Sequence, residues 1–341
     1  MARNAISLEG IGDSFYAFRQ SVKRPLQVGV IGVGHLGRHH ARIYAELSAC
    51  KLVGVVDIDK VRATEIGQIY KVRAYQDYRD LFGQVDAVSI AVPTVKHYEI
   101  GMDCLRAGIH VLMEKPIAKT LPEASELVHQ ATVKGLVLQV GHLERFNPAV
   151  QALNRLAHHP GFIESYRIGG FSDRSTDIDV IMDLMIHDID IILNLVPSPI
   201  RQIQAVGVPV LTSRIDIANA RIQFESGCVA NMTASRVSLK QERKLRVFQK
   251  EQYLSLDYQA QELTVAKLEY SQGSSDREKP PSERPEIIVK KVDVAKGEPL
   301  KMELESFVDC ILHKKKPQVS GEAGLRALEV AVEILENMNS V

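Results

Sequence analysis

Between Asp179 and Asn194 the residues Asp179, Asp183, His187, Asp190 and Asn194 recur at spacings of four, four, three and four, with Ile, Leu, Met and Val filling most other positions. Those spacings place all five on one face of a helix. An imidazole with carboxylates at i−4 and i+3 is equipped for proton transfer, because Asp183 is positioned to fix the tautomer of His187 and raise its basicity. The plain alternative is an amphipathic surface helix. Either way the polar stripe should face water or a polar cleft, since burying several unpaired carboxylates is prohibitive. A second candidate is Lys115, in Glu114-Lys115-Pro116 directly after the apolar run His110–Met113. A lysine there stands at the carboxyl end of a strand, in the crevice where open α/β sheets bind ligands. Taken alone, a strand-end lysine is more often a solvated surface residue than a functional one.

A third pattern is Gly32-Val33-Gly34-His35-Leu36-Gly37, a G-x-G-x-x-G lying directly between an apolar strand and a helix. Gly32 permits a tight turn, Gly34 lets backbone approach a pyrophosphate, and Gly37 lets the helix pack against the strand. The N–H groups at the helix start then face the phosphates. A glycine-rich turn without a ligand is the bland alternative. The run LVGVVD weighs against it, for it ends in Asp57, 20 residues beyond Gly37, where an acid accepts hydrogen bonds from the adenosine ribose hydroxyls. A carboxylate there repels a 2′-phosphate, so NAD is favoured over NADP, although Lys60 and Arg62 lie close enough to soften the preference.

The elements that must position these residues are readable from periodicity. From Leu26 to Val140 short β-branched runs alternate with helical stretches, as in a doubly wound parallel sheet. Strands are expected in Ala87–Pro93, His110–Pro116 and Gly135–Gly141, and helices from Val95 to Ala107 and Leu121 to Lys134. Asn147-Pro148 opens a further helix, and the expected division is residues 1–25 as an N-terminal extension, 26–146 as a Rossmann domain and 147–341 as a second α/β domain. In the latter, strand-like runs follow one another, with Glu225-Ser226-Gly227 joining two of them as an antiparallel hairpin. A Pro-rich stretch from Ser271 to Pro285 reads as a surface loop, and helices close the chain over Leu300–His313 and Gly321–Met338.

Composition excludes several function classes. Lys plus Arg equals Asp plus Glu at 42 each in 341 residues, so no global field gathers nucleic acid or an anionic membrane. The cluster Lys240, Arg243, Lys244, Arg246 and Lys250 is interleaved with acids and reads as a solvated strand face or edge. Cys50, Cys104, Cys228 and Cys310 form no C-x-x-C pair, so no metal is expected and buried, reduced thiols of a cytoplasmic protein are. No signal-peptide core or bilayer-spanning run is present.

Taken together, the glycine turn Gly32–Gly37, Asp57, the Val92-Pro93-Thr94 turn with His97, the AGIHVLMEKP segment and Asp183-x-x-x-His187 resemble the Gfo/Idh/MocA family of sugar oxidoreductases, from Leu26 to the end of the chain. The resemblance implies that Lys115, Asp183 and His187 form the catalytic set and that the second domain carries an open, largely antiparallel sheet that often mediates oligomerisation, here as a homodimer or homotetramer. The expected cofactor-binding set is Gly32, Gly34, His35, Leu36, Gly37, Asp57, Pro93, Thr94, His97, Glu114 and Lys115. By the family analogy a hydride passes between a sugar carbinol carbon and the nicotinamide. His187 is then the base, Lys115 stabilises the reacting oxygen and Asp183 supports the imidazole, with the reverse split between Lys115 and His187 left open. The segment Gly141–Pro148, GHLERFNP, is similar to that of the branch acting on nucleotide sugars, which includes UDP-N-acetylglucosamine 3-dehydrogenases. Arg145 and Asn147 are accordingly candidates for substrate binding alongside His187, against helix-start and packing roles. A dehydrogenase of a free sugar or inositol is the second reading. A non-catalytic NAD(H)-sensing regulator is the third, and the joint presence of Lys115, Asp183 and His187 argues against it.

Overall fold

Runs of Val, Ile and Leu too short for helices and buried on both sides make parallel strands. In the computed structural model, which describes residues 24–171, 178–269 and 286–338, five such strands and a short exposed one, the third, form the first sheet: β1 Leu26–Ile31, β2 Cys50–Val56, β3 Arg73–Tyr75, β4 Ala87–Ile90, β5 His110–Glu114 and β6 Leu138–Gly141. Their order is β3-β2-β1-β4-β5-β6, all parallel. This is the doubly wound arrangement, with the crossover reversing between β1 and β4. The helices between strands are α1 Gly37–Glu46, α2 Lys60–Tyr70, α3 His97–Arg106 and α4 Leu121–Lys134. Local chemistry sets their ends. Asp59 caps α2 by accepting from Val61 and Arg62, and Thr120 with Glu123 closes a capping box on α4, which stops at a left-handed Gly135. Strand β3 has no apolar run to betray it, its first two residues being exposed.

A second sheet holds β7 Phe162–Ile168, β8 Ile200–Val208, β9 Ile217–Phe224, β10 Val229–Ser235, β11 Glu242–Gln249, β12 Gln252–Asp257, β13 Glu262–Glu269 and β14 Glu286–Lys291, ordered β14-β13-β12-β11-β7-β10-β9-β8. It is antiparallel except where β7 runs parallel to β10. The expected hairpin is present as β9 and β10, joined through Gly227 at φ 88°. Helices α5 Pro148–Leu156, α6 Ile186–Leu195 and α8 Gly321–Met338 cover one face, burying Leu153, Ile189, Ile192 and Ile334 against Ile163, Ile222, Leu245 and Leu254. The remaining helix, α7 Pro299–His313, turns back to the first sheet, where Leu304, Phe307 and Val308 join Val28, Val30 and Tyr44. Helix α8 serves both sheets, with Leu328 packed beside Val140 and Ala331 in the second core. A single cut at residue 147 therefore separates the sheets but not the closing helices. Residues 1–23 of the expected extension and the expected loop Ser271–Pro285 lie outside the described residues.

Candidate active site

Parallel strands put all their carboxyl ends on one edge of the sheet, and the candidate residues gather there. Gly32 follows β1 at φ +83°, and a Cβ on it would meet the Ala91 carbonyl oxygen at 2.7 Å. A Cβ on Gly37 would lie 1.7 Å from the Gly32 oxygen. These two glycines are dictated by the protein's own backbone. Gly34 is different, for the nearest atom to a Cβ there is Arg62 Nη1 at 3.9 Å. It opens on a cavity of about 770 Å³ lined by Gly32, His35, Leu36, Asp57 and Pro93 among others. The opening of α1 beside it has no side-chain cap, leaving the helix start suited to an anion. Space kept clear at Gly34, an uncapped helix start and an acid across the cavity fit a dinucleotide.

Asp57 is buried at the end of β2, where Oδ2 accepts from the Val33 N–H at 3.0 Å and Oδ1 from the Asp59 N–H at 3.0 Å. Arg62 reaches the same carboxylate at 3.3 Å and pairs with Asp59 at 3.4 Å. One guanidinium thus stands against two carboxylates at the carboxyl end of β2.

His97 and Glu114, both expected to touch the cofactor, are buried with internal partners instead. The His97 ring nitrogens lie 2.9 Å from the Pro116 and Val92 carbonyl oxygens, tying the Val92-Pro93-Thr94 turn to the loop after β5. Burial lowers the His97 pKa against the raising effect of those carbonyls. Glu114 sits 3.0 Å from His40 Nε2. Burial pushes its carboxyl up, but the hydrogen bond and charge of His40, with the charges of Lys115 and His97, hold it below the ordinary range. Thr94 opens a 3-10 turn, Thr94–Lys96, that leads into α3.

Lys115 comes off the end of β5 with its amine donating to Asp183, at 2.6 Å to the carbonyl oxygen and 3.2 Å to Oδ1. The expected pairing of Asp183 with His187 is thereby replaced by one with Lys115, and His187 Nδ1 is buried without a partner among the described residues. Ile181–Met185 is a π turn running into α6, so the stripe does not keep the α-helical rotation that its spacing assumes. The His187 ring meets that of His142, at the end of β6, edge to face with centroids 6.2 Å apart. Burial, then the charges of Lys115 and Arg167, and then His142 and Arg243, hold the His187 pKa well below the ordinary imidazole value. The ring is neutral at physiological pH and free to accept a proton.

The remaining stripe residues divide: Asn194 is exposed to water, Asp179 is half-buried and accepts from the Ile215 N–H at 2.9 Å, and Asp190 is buried. Asp190 takes Arg145 Nε at 2.8 Å, while Asp188, its neighbour but one, takes Arg167 Nε at 2.8 Å and Nη2 at 3.1 Å. Arg167 also donates to Glu144 at 3.2 Å and lies over the Tyr258 ring. Pairing is what allows these carboxylates inside. Arg145 and Asn147, candidates for the substrate, are committed here too. Arg145 is 6% exposed beside Asp190, and Asn147, 2% exposed, caps α5 through Ala149 and donates to Glu144 and the Tyr258 carbonyl oxygen. Sequence reasoning passed over His142, Asp188 and Arg167. His142 alone carried a signal, a histidine directly after a strand that ends on the ligand-binding edge. Among the described residues no group of three or more His, Cys, Asp or Glu could hold a metal ion, and no helix is long and apolar enough to cross a membrane.

Two family profiles match the chain, "Oxidoreductase family, NAD-binding Rossmann fold" over residues 26–142 and "GFO/IDH/MocA C-terminal domain" over residues 155–255. The chain belongs to the Gfo/Idh/MocA oxidoreductase family. Among its curated relatives is the UDP-N-acetylglucosamine 3-dehydrogenase of Acidithiobacillus ferrooxidans, 38% identical over 91% of this chain and 96% of that protein. A crystal structure of that enzyme superposes with a TM-score of 0.84 at 36% identity, covering 92% of this chain and 98% of the other. A more distant member, the scyllo-inositol 2-dehydrogenase (NAD(+)) of Bacillus subtilis, is 26% identical over 64% of this chain and 69% of its own length. The family's Rossmann half is NAD-binding, in agreement with the turn and cavity at Gly32–Gly37.

Proposed function

We propose that the protein is an NAD-dependent dehydrogenase oxidising a secondary hydroxyl of a nucleotide sugar, the 3-hydroxyl of UDP-N-acetylglucosamine or a close relative. The observation that carries this reading is the end-to-end likeness to the Acidithiobacillus ferrooxidans enzyme, to which the gathering of Lys115, Asp183 and His187 at one sheet edge adds the chemistry. His187, neutral and desolvated, takes the hydroxyl proton. Lys115, held by Asp183, donates a hydrogen bond to the reacting oxygen and stabilises its developing charge. Bound nicotinamide supplies the hydride acceptor. Gly32, Gly34, Gly37 and Asp57 hold the dinucleotide, His35, Leu36 and Pro93 line its cavity, and Thr94 supports the turn beside them. Under the same reading residues 26–146 bind the dinucleotide and 147–341 the sugar, within a cytoplasmic homodimer or homotetramer.

The test is to incubate the protein with NAD and UDP-N-acetylglucosamine and follow NADH at its absorbance maximum. Silence there, with turnover of a free sugar or inositol, moves the assignment to the second reading. Preference for NAD over NADP rests on the two carboxylates, Asp57 and Asp59, that outnumber Arg62. Replacing Asp57 by Ser should shift the kcat/KM ratio toward NADP by about tenfold or more, the scale of one local charge interaction. An unchanged ratio would discard Asp57 as the selector.

A further inference from the structure

The basic run from Lys240 to Lys250, expected to be a solvated strand face, divides in two in the folded chain. Lys244 pairs with Glu242, Arg246 with Glu164, and Lys250 with Glu251, at 3.5, 3.6 and 4.0 Å. Arg243 does not join them. In the β11–β7 ladder it stands directly opposite Arg167, and opposed residues share a sheet face. That face also carries buried Leu245 and Val247, so Arg243 is on the side where α6 packs. Like charges directly opposite each other cost stability.

The carboxylates nearby are already engaged. Asp188 and Glu144 are bonded to Arg167, Asp190 to Arg145 and Asp183 to Lys115. They balance the charge of Arg243 from a distance, but its half-buried guanidinium has no hydrogen-bond or ion-pair partner among the described residues. Five N–H donors in a planar fork are thus left open beside the catalytic set. Burial and the neighbouring Arg167 hold the group somewhat below the ordinary arginine range, with Glu144, Asp188 and Asp183 opposing. An incoming anion would relieve both penalties.

We propose that Arg243 grips the diphosphate of the substrate and so orients the sugar ring against Lys115 and His187. A guanidinium fork matches phosphate oxygens two at a time. Anchoring away from the reacting carbon spends binding energy on orientation, which is what a sugar with several similar hydroxyls requires. The inference rests on the nucleotide-sugar reading above, and its test keeps the two separable.

Calorimetric titration of the NADH-loaded protein with uridine diphosphate, for wild type, Arg243→Gln and Arg243→Lys, reads the contact directly, with glucuronate and uridine as further titrants. The expected result is a loss of about 30-fold in UDP affinity for Gln, partial recovery for Lys, and unchanged uridine and NADH affinities, the usual scale for losing one desolvated charge contact. Intact NADH binding also shows that the variants are folded. UDP affinity independent of Arg243 overturns the proposal, even if wild type oxidises UDP-N-acetylglucosamine and the nucleotide-sugar reading stands. Dependence on Arg243 for glucuronate but not UDP overturns it as well, by assigning the contact to a sugar carboxylate. Arg243-dependent UDP binding without turnover of that sugar upholds the anchor and removes only the sugar named above. No UDP binding by wild type overturns the proposal outright.

Discussion

His187 and Lys115 reach the site by different physical routes. The imidazole is kept neutral by burial, with surrounding cations reinforcing the effect, whereas the amine is oriented by two contacts to a single residue, Asp183. Removing either reactive group, as in His187→Ala or Lys115→Ala, should lower turnover by about 10²-fold or more. Fluorescence titration should find NADH affinity nearly intact, because under the proposed reading the dinucleotide is held mainly around Gly34 and Asp57. A variant retaining full turnover loses its assigned role. The pH dependence follows from the direction of the shift. Since the folded imidazole has a depressed pKa, the base form persists as pH falls, and the acid limb of kcat/KM should lie below about 6.5, the ordinary imidazole value. An acid limb above that value would point to a different base. At this scale the residue types were legible in the sequence. Their partners were not, because Asp183 and Lys115 are 68 positions apart.

At the scale of elements, the strand–turn–helix from β1 to α1 performs two tasks that substitution can separate. Gly37→Ala would drive a methyl into the Gly32 carbonyl, so the turn itself should fail, seen as a fall in the thermal midpoint. In Gly34→Val the Cβ meets only Arg62 Nη1, at 3.9 Å, an ordinary contact with the end of a flexible side chain, so the variant should fold normally while losing NADH affinity by about 10-fold or more, since the side chain would enter the space the pyrophosphate needs. A Gly34→Val protein that binds NADH as wild type does would show that the cavity holds something else. The motif was readable because strand, turn and helix are contiguous. The helix bearing His187 was readable in part, its apolar periodicity being clear while the π turn at Ile181–Met185 was hidden. A π turn changes the rotation per residue without changing the residue types, so the stripe looked more regular than it is.

Across the whole molecule, α8 packs on both sheets and α7 returns to the first, and α7 carries a group that reports on that packing. Glu303 is fully buried with neither carboxyl oxygen hydrogen-bonded among the described residues. Burial, with the charges of Glu114 and Asp190, raises its pKa well above that of a free glutamate. A folded pKa above the unfolded one means that the stability tied to the protonated form is present below the unfolded pKa, about 4.3, and is lost as pH rises through the folded value. Glu303→Gln keeps the shape and removes the ionisation. It should raise the unfolding midpoint above neutral pH, increasingly so with pH, and change it little at about pH 4. A midpoint that falls at alkaline pH in the variant would mean that Glu303 is ionised and paired in the folded protein.

Two kinds of information separate at the end. Contiguous patterns determined the doubly wound sheet, the glycine turn, Asp57 at the end of β2 and the presence of an amine and an imidazole with proton-transfer chemistry, because each depends on periods and spacings within a few tens of residues. Only the tertiary structure decided that Asp183 serves Lys115, that Arg145 and Asn147 turn inward while Arg243 is left with open donors, and that the closing helices return to the first sheet. Those outcomes depend on which charges meet across 20 to 45 positions or more, where burial makes an ion pair obligatory and periodicity carries no trace of the partner.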